Sequence, residues 1–313
     1  MTALVRAPAR EVRSRFFDSA RWAGYRARPD DIIIATYPKC GTTWTQRIVS
    51  MLLAGNAAPA PVAGPWPDMR LHGPVEPVLV EAEAMTGRRH FKSHLPYDAL
   101  PVHEGVKFIH VARDGRDSAL SYHNHLLNYS SSSLAALTEV SRADPKFGDD
   151  PPATSQDPAK YFHTWLEDGG GWGDDGAGYW HMELSYWTAR RDANVLLVHF
   201  ADMKADLAGE VARLSRFLEI DHSPELTREI VAAAEFEAMR ADGEALMPRA
   251  QTSWREGSRT FLHKGVNGRW RDLFDVADLA AYDHRVAIEF TPGLAAWLEQ
   301  GRAVAGDPRT SPD

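Results

Sequence analysis

The sequence predicts an α/β fold built on a central, mostly parallel sheet, and three observations carry that expectation. Short apolar runs recur without polar alternation, as in strands buried on both faces. Helix-like stretches separate them, so β and α elements alternate along the chain. The composition suits a globular core, with 44% apolar and 25% charged residues in a chain of 313.

The elements follow in order. Ile32-Ile33-Ile34-Ala35 is the first buried strand, and a helix is expected from Thr42 to Leu53. His90-Phe91-Lys92 is a shorter strand. Lys107-Phe108-Ile109-His110-Val111 is a clear one, with a helix from Arg116 to Leu127 after it. A helix from Tyr179 to Arg190 leads into the strand Val195-Leu196-Leu197-Val198, and another runs from Met203 to Leu218. Three segments interrupt the pattern: a Pro-, Ala- and Gly-rich stretch near 56–77, a Ser-, Asp- and Pro-rich stretch at 130–157, and a glycine-rich stretch at 168–178. Loops of that length in a compact domain are usually functional lids or mobile segments. No linker separates two cores, so they read as insertions in a single domain spanning 1–313.

Asp and Glu outnumber Lys and Arg by 43 to 35, a formal charge of −8. That balance argues against a general nucleic-acid or anionic-membrane binder, yet allows a small basic site for one anionic ligand. Cys40 is the one cysteine, which excludes an intramolecular disulfide and a multi-cysteine metal cage. No stretch approaches the ~20 apolar residues of a membrane span, and the first residues carry no apolar signal region. The expectation is a cytoplasmic protein with no integral membrane segment and no nucleic-acid partner.

The most informative segment joins the first strand to the first helix: Thr36-Tyr37-Pro38-Lys39-Cys40-Gly41-Thr42-Thr43-Trp44. Gly41 lets the backbone approach an anion. Free N–H groups at the helix start point at it, and the helix dipole favours negative charge there. Thr42 and Thr43 add hydroxyl donors and Lys39 a point charge. This is a phosphate cradle, but not a Walker A loop, since Lys39 precedes Gly41 and the first glycine is missing.

A second strand–turn–helix reads Val111-Ala112-Arg113-Asp114-Gly115-Arg116-Asp117, with Ser121 two helical turns on. Arg113 sits at a strand's carboxyl end, where ligands of open α/β sheets bind. It suits bidentate contact with a phosphate, with Ser121 adding a hydrogen bond. The plainer alternative pairs Arg113 with Asp114 or Asp117. A third segment, Phe261-Leu262-His263-Lys264-Gly265-Val266-Asn267-Gly268-Arg269-Trp270, has the glycines and bases of a loop closing over phosphate. His123 and His125, two apart on a helix, diverge and make no metal pair; they are expected to face solvent or a pocket.

Together these segments resemble, in the same order, the donor motifs of the cytosolic-type PAPS-dependent sulfotransferases (PAPS, 3′-phosphoadenosine 5′-phosphosulfate). The 130–157 and 168–178 segments resemble bacterial aryl or glycolipid sulfotransferases more than animal enzymes. The resemblance implies a single P-loop-like domain with helices on both faces of the sheet. It implies PAPS as donor, adenosine 3′,5′-bisphosphate (PAP) as product, and no metal. Lys39, Cys40, Gly41, Thr42, Thr43 and Trp44 would form the 5′-phosphosulfate loop. Cys40 replaces a frequent Ser, so only its backbone N–H would meet the anion. Arg113 and Ser121 would bind the 3′-phosphate with Phe261, Leu262, His263, Lys264 and Gly265, where His263 stands for the usual Arg. Phe200, Phe236 and Met239 would hold the adenine beside Trp44; Phe236 and Met239 read equally well as core packing at i, i+3.

The resemblance extends to Phe91-Lys92-Ser93-His94-Leu95-Pro96, where His94 matches the family's catalytic base. His94 would take the proton of an acceptor hydroxyl, Lys39 would stabilise the leaving phosphate oxygen, and Lys92 would hold sulfuryl or phosphate oxygens. Tyr129, Trp66, Trp172 and Trp180 are candidate walls of an apolar pocket for an aromatic, steroidal or glycolipid alcohol. Arg271, Asp275, Val276 and Ala280 stand where the family's dimer motif has Lys, Thr, Val and Glu, so that motif leaves the oligomeric state open. A Mg-nucleotide kinase is a competing reading, disfavoured by the lack of an acidic strand end. A non-catalytic nucleotide-binding scaffold is another, disfavoured because Lys39 and His94 are both present.

Overall fold

In a computed structural model, which describes residues 2–62, 64–170 and 178–313, the buried runs become strands of one sheet. The strands are β1 (Leu4–Arg6), β2 (Ile32–Ala35), β3 (His90–Ser93), β4 (Val102–His103), β5 (Lys107–Ala112) and β6 (Val195–His199). The central sheet has the order β3-β2-β5-β6 and every pair in it is parallel. Ile33 lies between Phe91 and Phe108, and Ile109 lies opposite Leu196. β1 and β4 form a separate antiparallel pair.

The pleat explains the missing alternation. Ile32, Ile34, Ile109 and Val111 enter one core, and Ile33, Ala35, Phe91 and Phe108 the other. Both faces are therefore dry, and each large apolar side chain buried contributes about 1.5–3 kcal/mol. The described helices used below are α1 (Thr42–Ala54), α2 (Glu76–Ala84), α3 (Gly115–Leu127), α4 (Ser131–Ala143), α5 (Pro158–Glu167), α6 (Tyr179–Thr188), α7 (Phe200–Ala205), α8 (Leu207–Leu218), α9 (Pro224–Ala234) and α10 (Phe236–Ala241). α1, α8 and α9 cover the first core; α3, α5 and α6 cover the second. This is an α/β fold with a parallel sheet flanked by helices on both faces.

Two expectations change. The 130–157 segment is not all loop, because Ser131–Ala143 is helical. Its serines are the helix start: the Ser130 hydroxyl accepts from the Ser133 N–H. Asp144, just beyond α4, pairs with Arg13 at 2.9 Å and with Arg70, pinning the helix end to distant chain. The helix expected over Met203–Leu218 is two helices, α7 and α8. The break is Asp206, whose backbone (φ −145°, ψ 75°) leaves the helical region and whose carboxylate caps the Gly209 N–H. Among the described residues, no helix is long and apolar enough to cross a membrane.

Candidate active site

Parallel strands deliver their carboxyl ends to one edge of the sheet, where loops can meet. Lys39 follows β2, His94 follows β3, Arg113 follows β5 and Phe200 follows β6. All four line one cavity of about 640 Å³.

The loop after β2 turns sharply. Lys39 takes φ 70° and Gly41 φ 115°. A side chain at Gly41 would be strained, and its Cβ would also come within 3.2 Å of the Phe200 ring. Gly41 caps α1, so the first helical N–H groups open toward the cavity, beside Thr42 and Thr43 in its lining. The Thr42 and Thr36 hydroxyls meet at 2.5 Å. Cys40 departs from the other loop residues. Its side chain is fully buried away from the cavity, with Sγ 3.3 Å from the Ser118 hydroxyl, so only its backbone belongs to the loop.

Arg113 lies 4.3 Å over the Phe200 ring. Its guanidinium donates to the Asn267 side chain at 3.0 Å, the Val266 carbonyl at 2.9 Å and the Lys39 carbonyl at 3.2 Å. It thereby ties the 261–269 loop to the β2 loop. The alternative pairing with Asp114 fails, because Asp114 is bound to Arg116. Asp117 instead accepts from the Gly268 N–H at 2.9 Å. Ser121, Trp44, Phe236, Met239, Phe261, Leu262, His263, Lys264 and Gly265 all reach the same cavity. Burial and the cations Arg269 and Lys264 lower the His263 pKa. Arg269 also lines the cavity, so a permanent cation stands near this neutral imidazole.

His94 is held on both sides. Its Nδ1–H donates to the Thr36 carbonyl at 2.6 Å, and its backbone N–H donates to Asp68 at 3.0 Å. The Phe17 and Trp66 rings meet its ring at 5.2 and 5.1 Å. With Nδ1 committed as donor, Nε2 carries the lone pair. Burial, followed by the Lys92 charge, pushes the His94 pKa well below 6.5, so the ring is neutral at physiological pH.

The cavity is short of negative charge. Lys39 lies 3.9 Å over the Phe261 ring and Lys92 3.5 Å over Trp66. Burial lowers both lysines to about 7, and Lys92 and Arg113 further depress Lys39. Among the described residues no carboxylate pairs with Lys39. Asp68 is the acid that favours charged Lys92. No group of His, Cys, Asp and Glu suited to a metal is found among the described residues.

The acceptor wall is only partly as expected. Trp66 and Tyr129 line the cavity. Trp180 does not: it is 3% exposed and packs against Trp165, Tyr282 and Phe290 in the core, because that face of α6 points inward. Trp172 lies outside the described residues. His123 is buried on Tyr161 and faces neither solvent nor cavity, whereas His125 lines the cavity. Phe17, Trp254 and α4, through Ser132 and Ser133, also line it and were not singled out from sequence. His125 had a signal: it stands four residues after Ser121, on the same helix face.

Known proteins share this arrangement. The sulfotransferase domain family matches residues 29–291. A glycolipid sulfotransferase of Mycobacterium bovis is 33% identical over 311 residues, covering 93% of this chain and 94% of its own length. Sulfotransferase 1B1 of Canis lupus familiaris is 28% identical over 269 residues, covering 83% of each chain. The crystal structure of a mouse sulfotransferase complexed with PAP has a TM-score of 0.63 at 21% identity, covering 86% of this chain and 88% of its own, a likeness of fold. The match takes in the β2 and β5 loops and nearly all of the 640 Å³ cavity's strand-end residues, and on that extent the chain belongs to the sulfotransferase family.

Proposed function

We propose that this sulfotransferase uses PAPS as donor and sulfates a hydroxyl of a small-molecule or glycolipid acceptor: R–OH + PAPS → R–OSO3⁻ + PAP + H⁺. The observation that carries the reading is the excess of positive over negative charge lining the cavity, where Lys39, Lys92, Arg113, Lys204, Lys264 and Arg269 face Asp117 and Glu235. Arg113 is buried and Lys39 and Lys92 half-buried beside it, in a protein of net charge −8. Partly desolvated cations that meet carbonyls and rings but no ion-pairing carboxylate are costly, so the site is built to be completed by an anion. The two phosphate-type ends match two clusters. The α1 N-terminus with Lys39, Thr42 and Thr43 would hold the 5′-phosphosulfate. Arg113, Ser121, Lys264 and Arg269 would hold the 3′-phosphate. Phe200, Phe236, Met239 and Trp44 offer the flat apolar faces an adenine needs. The glycolipid acceptor class is carried over from the mycobacterial relative.

The donor supplies the sulfuryl group. The protein's part is position and charge. His94 Nε2 accepts the acceptor's hydroxyl proton as that oxygen bonds to sulfur. Lys39 meets the charge that develops on the bridging phosphate oxygen, and Lys92 holds peripheral oxygens.

Calorimetric titration with PAP tests the donor site. Arg113→Ala is expected to weaken binding by about 10–100-fold, the loss of a charge-assisted pair, while AMP binding changes much less. Equal losses for PAP and AMP would place the 3′-phosphate elsewhere.

Binding should also be linked to protons. Lys39 and Lys92 titrate near 7 without ligand, and a nearby anion raises both values. Above pH 7 the complex therefore holds more protons than the free protein, and affinity falls as pH rises through the free values. Titrations at pH 8 in Tris and in HEPES, which differ in ionisation enthalpy, should report proton uptake. Proton release would contradict the assignment.

A further inference from the structure

His125 lines the cavity and has no part in the transfer step. Its ring sits among Tyr129, Trp254 and Phe261, at 5.1, 4.9 and 5.9 Å. Nδ1 is buried there without a hydrogen-bond partner. Burial, with Lys39 and Lys92 nearby, keeps the pKa well below 6.5, so the ring carries one proton. An N–H on buried, unpartnered Nδ1 would be an orphan donor, which is rarer and costlier than an unpaired acceptor. The proton therefore belongs on Nε2. His94 has the opposite tautomer, with Nδ1–H on the Thr36 carbonyl and a lone pair on Nε2. Two of the cavity's imidazoles thus have opposite polarity: His94 takes a proton and His125 offers one.

An aromatic wall with an unpaired donor fits a ring that is apolar on its face and oxygenated at its edge. We propose that His125 is a positioning residue that donates from Nε2 to a second oxygen of the acceptor, and that the preferred acceptor is a polyhydroxylated ring, a glycoside, lying against Tyr129, Trp254 and Phe261. A simple phenol brings one oxygen, the reacting one, and leaves the His125 donor unpaired; a glycoside brings neighbouring hydroxyls that pair with it. This inference rests on the sulfuryl-transfer reading above.

The test compares octyl glucoside with 4-ethylphenol, whose only oxygen is the reacting one, as acceptors in the full-length enzyme with PAPS. Wild type should favour the glucoside in kcat/KM. His125→Phe keeps the aromatic box and removes the donor. It should raise KM for octyl glucoside about tenfold, with kcat little changed and a much smaller effect on 4-ethylphenol. His125→Gln, which restores a donor, should recover part of the loss. Deoxy analogues of octyl glucoside give an independent arm that needs no folded variant. In wild type, one analogue that keeps the reacting hydroxyl should lose about tenfold in kcat/KM. Equal losses for both acceptors, no loss in His125→Phe, uniform behaviour of the deoxy analogues, or no glucoside turnover would overturn the proposal. PAP titration separates the two readings. Intact PAP binding with any of those outcomes condemns the His125 role alone, whereas wild type that binds no PAP condemns the donor assignment.

Discussion

His94→Gln is expected to lower kcat by about 10²–10⁴-fold while leaving PAP affinity unchanged. The imidazole is a base by construction. Its Nδ1–H is fixed on the Thr36 carbonyl, so Nε2 must carry the lone pair, and Phe17 and Trp66 hold the ring plane. Glutamine fills similar space but its amide cannot take a proton at neutral pH. The pH profile adds a second readout. A base with pKa well below 6.5 stays competent as pH falls past the ordinary histidine range, so the acid limb of kcat/KM for wild type should lie below 6.5. His94→Gln should lose that limb altogether. A variant that keeps both limb and rate would show that another group takes the proton.

The elements that place this machinery were legible because they obey local rules. Ile32–Ala35 and Phe108–Ala112 are buried on both faces, as in a covered parallel sheet, and ligands of such sheets collect at strand ends. Lys39 and Arg113 therefore follow from short motifs next to those strands, whereas His94, after β3, is picked out by the resemblance. α4 was hidden because its first turn is Ser-Ser-Ser, a run that reads as loop until Ser130 is seen as a cap. The acceptor wall was the least legible part. A tryptophan's position along the chain says nothing of its direction: Trp66 faces the cavity while Trp180 faces the core. Trp254 and Phe17 reach the wall from segments with no motif, and tertiary packing alone brings them there.

Lys39→Met should separate function from stability. The lysine has an unusual setting: a non-glycine residue at φ 70°, with its ammonium laid over Phe261 and its carbonyl accepting from Arg113. Positive φ costs about 1–3 kcal/mol and survives where surrounding contacts hold it. Methionine can keep the backbone contact and lie on the same ring. What it removes is the charge facing the leaving oxygen, so kcat should fall by about 10²–10³-fold, with less effect on PAP binding. Stability should move the other way. Lys39 titrates near 7 when folded and near 10.5 when exposed. Below pH 7 the ammonium is charged in both states and the folded state bears the full desolvation cost. Between about 7 and 10.5 the folded protein sheds the proton and wild type gains stability as pH rises. The Met variant has no such cost, so its Tm advantage should be largest at pH 6 and fade toward pH 10. That pattern marks a cation kept for transfer at the expense of the empty fold. A Lys39→Met enzyme that melts lower than wild type at pH 6, or turns over at the wild-type rate, would remove Lys39 from the transfer step and leave its contact with Phe261 as a packing feature.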